Sequence, residues 1–228
     1  MRSEEEKQLD NPVWHSLKET HKDFILSYEN LKCYDPEFCA FGGYNGDGNI
    51  ADQLNTYAQF SNNFFIVGEK PAYSKHLKLQ NELVCLQMVY EKVMDVQLQE
   101  NIVKLDNVYE EELSRLVNLV QPGYYKRKTS LLGDYFGILK NEVLVAVTGE
   151  RMKMNLFTEV SAVVTDPDHK GKGYASQLIA HTVKNILLQN KVPYLHVTES
   201  NIGAIRLYEK LGFRTRRKIS FWHFTSIK

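Results

Sequence analysis

The sequence predicts an α/β or α+β fold, and three observations carry that expectation. Short apolar runs suited to strands alternate with longer stretches of helical periodicity, most clearly after residue 100. A bare, basic turn, DHKGKGYA (168–175), sits between one such strand and one such helix. At 228 residues, with 43% apolar and 25% charged side chains, the chain is long enough for one sizeable core or two small ones.

The first hundred residues read as an N-terminal α/β domain. Trp14, Leu17, His21, Phe24 and Ile25 fall near helical spacing, which predicts a helix over 12–30. The glycine-rich FGGYNGDGNIAD (41–52) lacks the GxGxxG order and a good preceding strand, so it reads as a turn cluster. NFFIVGE (63–69) and ELVCLQMVYE (82–91) read as buried strands. No convincing catalytic set stands out in this half.

Residues 101–228 form the second expected domain, and their pattern is sharper. A short strand (101–106) leads to a helix (108–120), with Leu113, Leu116, Val117 and Val120 on one stripe and Glu110 to Glu112 at its positive end. Pro122 and Gly123 break it. Residues 135–151 predict a hairpin turning at Asn141-Glu142, and FTEVSAVVT (157–165) a strand. The helix from Gly173 places Leu178, Ile179, Val183, Ile186 and Leu187 on one face. YLHVT (194–198) follows as a strand. The next helix starts near Asn201 with Ala204, Leu207, Tyr208 and Leu211 on one stripe, and Gly212 is its expected C′ residue. RRKISFWHFTSI supplies closing strands.

The chain's net charge is zero, yet its halves differ. Residues 1–100 carry 9 Lys and Arg against 16 Asp and Glu, and the remainder 19 against 12. A basic second half suits a small polyanionic ligand, and an acidic first half argues against nucleic acid as the main partner. Such an acidic region would also attract a cationic acceptor. The plainer reading is that the two halves attract each other. Cys33, Cys39 and Cys85 are odd in number and scattered, without metal-ligand spacing, so free thiols in a reducing compartment are expected. The acidic N-terminus does not read as a signal peptide, and no apolar run reaches the ~20 residues a spanning helix needs. The expectation is a cytoplasmic protein away from membranes, with monomer and homodimer both open.

The turn carries the chemistry. Glycines at 171 and 173 let ligand atoms approach the backbone closely. The first N–H groups of the following helix point outward with a partial positive charge, and Lys170 and Lys172 add full charges. This is a cradle for phosphate or pyrophosphate. It is neither a Walker loop nor a dinucleotide fingerprint. A phosphotransfer enzyme would need a magnesium-binding acid nearby, and only Asp166 and Asp168 are placed for that.

VVTDPDHKGKGYA resembles the acyl-coenzyme A loop of the GNAT acyltransferases, [QR]-x-x-G-x-[GA], with Lys170, Gly173 and Ala175 at the defining positions. NIGAIRLYEKLGF is similar to that superfamily's second signature, at Asn201, Ala204, Tyr208, Gly212 and Phe213. Within the superfamily the chain looks most like the FR47-like group, which shares features with glycine N-acyltransferases. The likeness covers 101–228 well, and one reading of residues 1–100 is a degenerate copy of the same fold. One departure stands at Lys170, which keeps the charge of Gln/Arg-type loops with Arg but loses the planar fork.

The resemblance implies a mixed, mostly antiparallel central sheet flanked by helices. It also implies transfer of an acyl group, most simply acetyl, from acetyl-CoA or another acyl-CoA to an amine on a small molecule or peptide, without a metal. Coenzyme contacts would come from Ala162, Val163 and Val164 on the splayed strand, from Lys170 to Ser176 (with Gly171, Lys172, Gly173, Tyr174 and Ala175 between), and from Asn201 and Ala204. Glu159 is the implied general base and Tyr208 the implied acid for the leaving thiolate. The plainer readings are a solvent-facing glutamate and a core tyrosine. Tyr124, Tyr125 and Phe157 are acceptor-pocket candidates. His169 and His196 read as a surface and a packed residue. A module that binds acyl-CoA without turnover remains the alternative.

Overall fold

In the computed structural model, residues 2–46, 48–92 and 96–227 are described. Strands β1 (Ile25–Ser27), β2 (Leu31–Tyr34), β3 (Phe41–Tyr44), β4 (Asn63–Val67) and β5 (Leu77–Tyr90) lie in the first hundred residues. Strands β6 (Ile102–Leu105), β7 (Tyr135–Lys140), β8 (Val143–Lys153), β9 (Phe157–Thr165), β10 (Val192–Thr198) and β11 (Phe213–Ser226) follow. The helices are α1 (Arg2–Glu5), α2 (Pro12–Lys18), α3 (Ala51–Tyr57), α4 (Glu110–Val120), α5 (Tyr174–Leu188) and α6 (Ile202–Lys210).

All eleven strands join one mixed sheet in the order β1-β2-β3-β4-β11-β5-β10-β9-β8-β7-β6. Two neighbouring pairs are parallel, β3–β4 and β9–β10, and each is bridged by a helix, α3 or α5. The other neighbours run antiparallel. The two 14-residue strands lie at the centre. β5, from the first half, pairs with β10, while β11, from the second half, pairs with β4. Each half thus completes the other's edge, which removes two exposed rows of backbone donors and acceptors.

The core follows the sequence periodicity. Leu113, Leu116 and Val117 of α4 pack on Tyr135, Leu144, Val147 and Val164. Ile179, Val183 and Ile186 of α5 join Tyr208 of α6 over Met88 and Leu195. Leu187, expected on the same face, is 38% exposed instead. The hairpin turns at Asn141 and Glu142 with φ of 49° and 65°, the geometry of a type I′ turn.

Two expectations in the first half are corrected. The helix over 12–30 ends at Lys18, because His21 turns inward to meet Ser16 and Tyr34; its Nδ1 lies 2.8 Å from the Tyr34 hydroxyl. Burial outweighs helical spacing there, and it holds the His21 imidazole down to about 4. The glycine-rich stretch is not all turn: Phe41–Tyr44 is β3 and Ala51 opens α3. Gly42 and Gly43 sit in the strand because a Cβ would lie 2.6 Å from Cys33 Sγ or from Asn11 Oδ1.

The charge asymmetry resolves into ion pairs between the halves. Arg214 meets Glu6 and Glu91, and Arg216 meets Glu6 and Asp10. Arg217 also reaches Asp10. The basic run at 214–217 is therefore engaged by the chain's own N-terminal segment.

Candidate active site

The parallel pairing of β9 and β10 is short. It runs Phe157↔Val192, Thr158↔Pro193 and Tyr194↔Glu159, and the strands then part. On the other side of β9, Ala162 and Val163 face the single residue Thr148 in a bulge, with Ala162 at φ 50°. Ala162 and Val163 are thereby freed from regular pairing on both sides, whereas Ser161 still pairs with Gly149. A cleft of about 440 Å³ opens there. Ser161, Ala162 and Val163 form one wall, Thr198, Asn201, Ala204 and Tyr208 another, and Ala175 reaches in from α5. Val164, expected to contact the coenzyme, does not line the cleft; it is buried in the cluster with Leu113, Leu116 and Val117 of α4.

The basic turn lies at the start of α5, whose first turn supplies Ala175 to this cleft. Gly171 and Gly173 have φ of 78° and 74°, a region L side chains avoid, and the space over both is open. Gly173 is the N-cap and offers no side chain, so the first N–H groups of a 15-residue helix are left for a ligand. Lys170 and Lys172 are exposed beside them, and Ser176 is half-buried. Tyr174 contributes backbone only: its ring is buried against Phe136 and Leu178 under the Lys140 ammonium. Asp166 accepts the Asp168 N–H at 2.9 Å and lies 3.5 Å from His169, commitments that serve the turn itself.

Glu159 lies deep in the same cleft, 1% exposed. It is not the solvent-facing residue of the plainer reading. Its Oε2 accepts from Arg151 Nε at 2.8 Å, and its Oε1 from Arg151 Nη2 at 2.8 Å and from His196 Nδ1 at 2.7 Å. Burial alone would raise its carboxyl, but Arg151's charge and bonds, with help from His196, hold it at about 2. Arg151 also lies 4.6 Å over the Phe41 ring.

His196 is pinned from behind. Gln87 on β5 donates from Nε2 to the Leu9 carbonyl at 2.7 Å and faces His196 Nε2 at 3.1 Å. Its Oε1 accepts from Arg216 Nη1 at 2.9 Å, which fixes the amide's orientation. His196 Nε2 must therefore accept, and its hydrogen sits on Nδ1, toward Glu159. The expectation of a packed histidine is half the story, since this packed ring also lines the cleft.

Tyr208 is 8% exposed, and burial raises its phenol to about 12. Asn201 caps α6 through the Ala204 N–H at 3.2 Å. Tyr124 lines the cleft; Tyr125 and Phe157 do not. Tyr125 is buried edge-on to Tyr135, and Phe157 packs on Tyr194 in the core. No motif or periodicity pointed to Arg151, Gln87, Phe41, Leu83 or Cys85 at this site. Their approach depends on pairing between distant strands.

Residues 135–222 match the FR47-like protein family. The matched segment runs from the start of β7 into β11. The solved structures agree on its architecture, the GNAT fold. A protein from Novosphingobium aromaticivorans assigned to the GNAT acetyltransferases has a TM-score of 0.89 and 29% identity, covering 96% of this chain and 99% of that one. A GCN5-related N-acetyltransferase from Kribbella flavida has 0.62 and 14%, over 95% and 94%. A tandem GNAT protein from clavulanic acid biosynthesis has 0.54 and 12%, over 85% and 77%. No curated protein sequence matches the chain. The matched segment holds Arg151, Glu159, His196 and Tyr208, while Phe41, Leu83, Cys85 and Gln87 reach the site from outside it.

Proposed function

We propose that the chain transfers an acyl group, most simply acetyl, from acyl-CoA to an amine. One observation carries the reading: an uncapped helix start behind Gly171 and Gly173 feeds Ala175 into a cleft where β9 parts from β10 and bulges against β8. The turn would hold the pyrophosphate, and the freed backbone of 162–163 would hydrogen-bond the pantetheine arm. The similarity to the Novosphingobium protein, described as an acetyltransferase, supports the acyl donor.

In the step itself the amine nitrogen attacks the thioester carbonyl, the C–N bond forms and the C–S bond breaks. The nitrogen's proton passes toward Glu159, the one acidic side chain among the described residues lining the cleft. The departing thiolate takes a proton from Tyr208, whose raised phenol stays protonated at neutral pH. Residues 1–100 and 101–228 are read as two units of one ancestral plan, each with a parallel strand pair bridged by a helix.

One observation favours a module that binds acyl-CoA without turnover: Arg151 and His196 already occupy the Glu159 oxygens. Calorimetric titration with acetyl-CoA, CoA and ATP-magnesium, followed by thiol release with an amine panel, separates the readings. Coenzyme binding with thiol release supports transfer. Coenzyme binding without it supports the module, and ATP-magnesium binding alone removes both.

A further inference from the structure

We propose that the acceptor amine is carried on a flat, uncharged aromatic or hydrocarbon body, and not on a polycation or a basic peptide. The inference rests on the acyl-transfer reading and narrows its substrate class. Besides the polar Gln121, Arg151, Glu159 and His196, the cleft is walled on this side by Phe41, Leu83, Cys85, Tyr124 and Phe221. Four of these five side chains are hydrocarbon or aromatic, and burial keeps the Cys85 thiol protonated, at about 12. The acidic first half of the chain thus presents an apolar face here, while its Glu6 and Asp10 are spent on Arg214, Arg216 and Arg217 elsewhere.

The apolar wall continues. A second hollow of about 290 Å³ shares Leu83 and Tyr124 with the cleft and extends to Phe65 and His223. Phe65 stacks with Tyr124 at 5.5 Å and with His223 at 4.5 Å, so a row of ring edges and faces borders it. A cavity of ~150 Å³ suffices for a benzene ring, so an aryl group fits this hollow. Asn63 and Asn81 supply its polar lining, and Asn63 is bonded to His223 at 2.7 Å.

Charge decides against a polycation. Among the described residues lining the two hollows, Glu159 is the one carboxylate and Arg151 neutralises it. A second ammonium on the acceptor would be desolvated beside the Arg151 guanidinium with no counter-ion. An aromatic body gains stacking instead, worth roughly 0.5–1.5 kcal/mol per ring pair beyond area burial, or up to about tenfold in affinity.

The test uses the full chain saturated with acetyl-CoA. Thiol release and calorimetric binding are measured with 2-phenylethylamine, tryptamine, spermidine and a lysine-rich peptide. The expected result is a kcat/KM for the arylalkylamines roughly tenfold above that for spermidine or the peptide. Leu83→Glu should narrow or reverse that ranking by adding a carboxylate, and Tyr124→Ala, a milder change, should raise KM for the aryl amines alone. Spermidine or the peptide performing as well in the wild-type protein overturns the inference and leaves acyl transfer standing. Aryl amines that bind without thiol release uphold the pocket and remove the transfer reading. Failure of every aryl amine to bind at millimolar concentration overturns the inference.

Discussion

Arg151 and Glu159 face each other from β8 and β9 in a two-pronged ion pair, both bonds 2.8 Å long, with the carboxylate almost wholly buried. Such a pair is weak support for stability as a unit but costly to break from one side, because the surviving charge stays in a low-dielectric interior. Glu159→Gln should therefore destabilise the fold by about 3–5 kcal/mol, and Glu159→Leu with Arg151→Met by much less. Urea unfolding of both variants checks this. Equal losses would mean that water reaches the guanidinium freely.

The same pair sets an acid limit. The Glu159 carboxyl is lower in the folded state than its ordinary value of 4.5, at about 2. A depressed folded-state value stabilises the fold above the unfolded one, and that contribution is lost as the pH falls from 4.5 toward 2. Denaturant midpoints should decline across that window, and the decline should shrink in the Glu159→Leu, Arg151→Met protein. An unchanged decline assigns the acid sensitivity to other carboxylates.

Gly173→Ala should separate binding from folding. The added methyl group meets open space but forces φ of 74° on an L residue, at a cost of roughly 1 kcal/mol. The strain is local, so the melting temperature should drop only modestly. Coenzyme affinity in calorimetry should fall further, because the methyl occupies the approach to the free N–H groups. Unaltered affinity would detach the turn from coenzyme binding.

What was legible in the sequence is what local physics writes there. The Gly171–Gly173 turn, the helix start near Asn201, the Asn141-Glu142 hairpin and the stripe of α4 are each set by residues within a few positions of one another. The helix over 12–30 failed because the inward turn of His21 depends on Tyr34, on another element. The site divides in the same way. Tyr208 carried motif spacing and Glu159 followed from the resemblance, whereas the Gln87–His196 contact exists only because β5 lies between β11 and β10. Strand order at the centre of the sheet leaves no periodic trace in either half.

Tyr208→Phe removes the hydroxyl and keeps the ring that packs near Phe213. If the phenol protonates the thiolate, kcat should fall by roughly a hundredfold with coenzyme affinity unchanged. Steady-state kinetics beside calorimetry reads both. A kcat within about twofold of wild type would falsify the proton-donor role and leave Tyr208 as a packing residue.

The pH profile of transfer follows from how the cleft's groups are held. Glu159, at about 2, is fully ionised throughout the working range, so it imposes no acid limb near neutrality. Gln87 presents an N–H to His196 Nε2, so that nitrogen is engaged as an acceptor and is not free to take the acceptor amine's proton while the contact lasts. Tyr208, raised to about 12, imposes no alkaline loss until well above pH 10. The remaining titration is that of the acceptor, which attacks only as the free amine. kcat/KM should therefore rise with pH and level off at the acceptor's own pKa. Two aryl amines of different basicity should give profiles displaced by the difference between their pKa values. A shared break near the ordinary histidine value of ~6.5, whatever the amine, would instead identify His196 as the titrating base and require the Gln87 amide to let go during turnover.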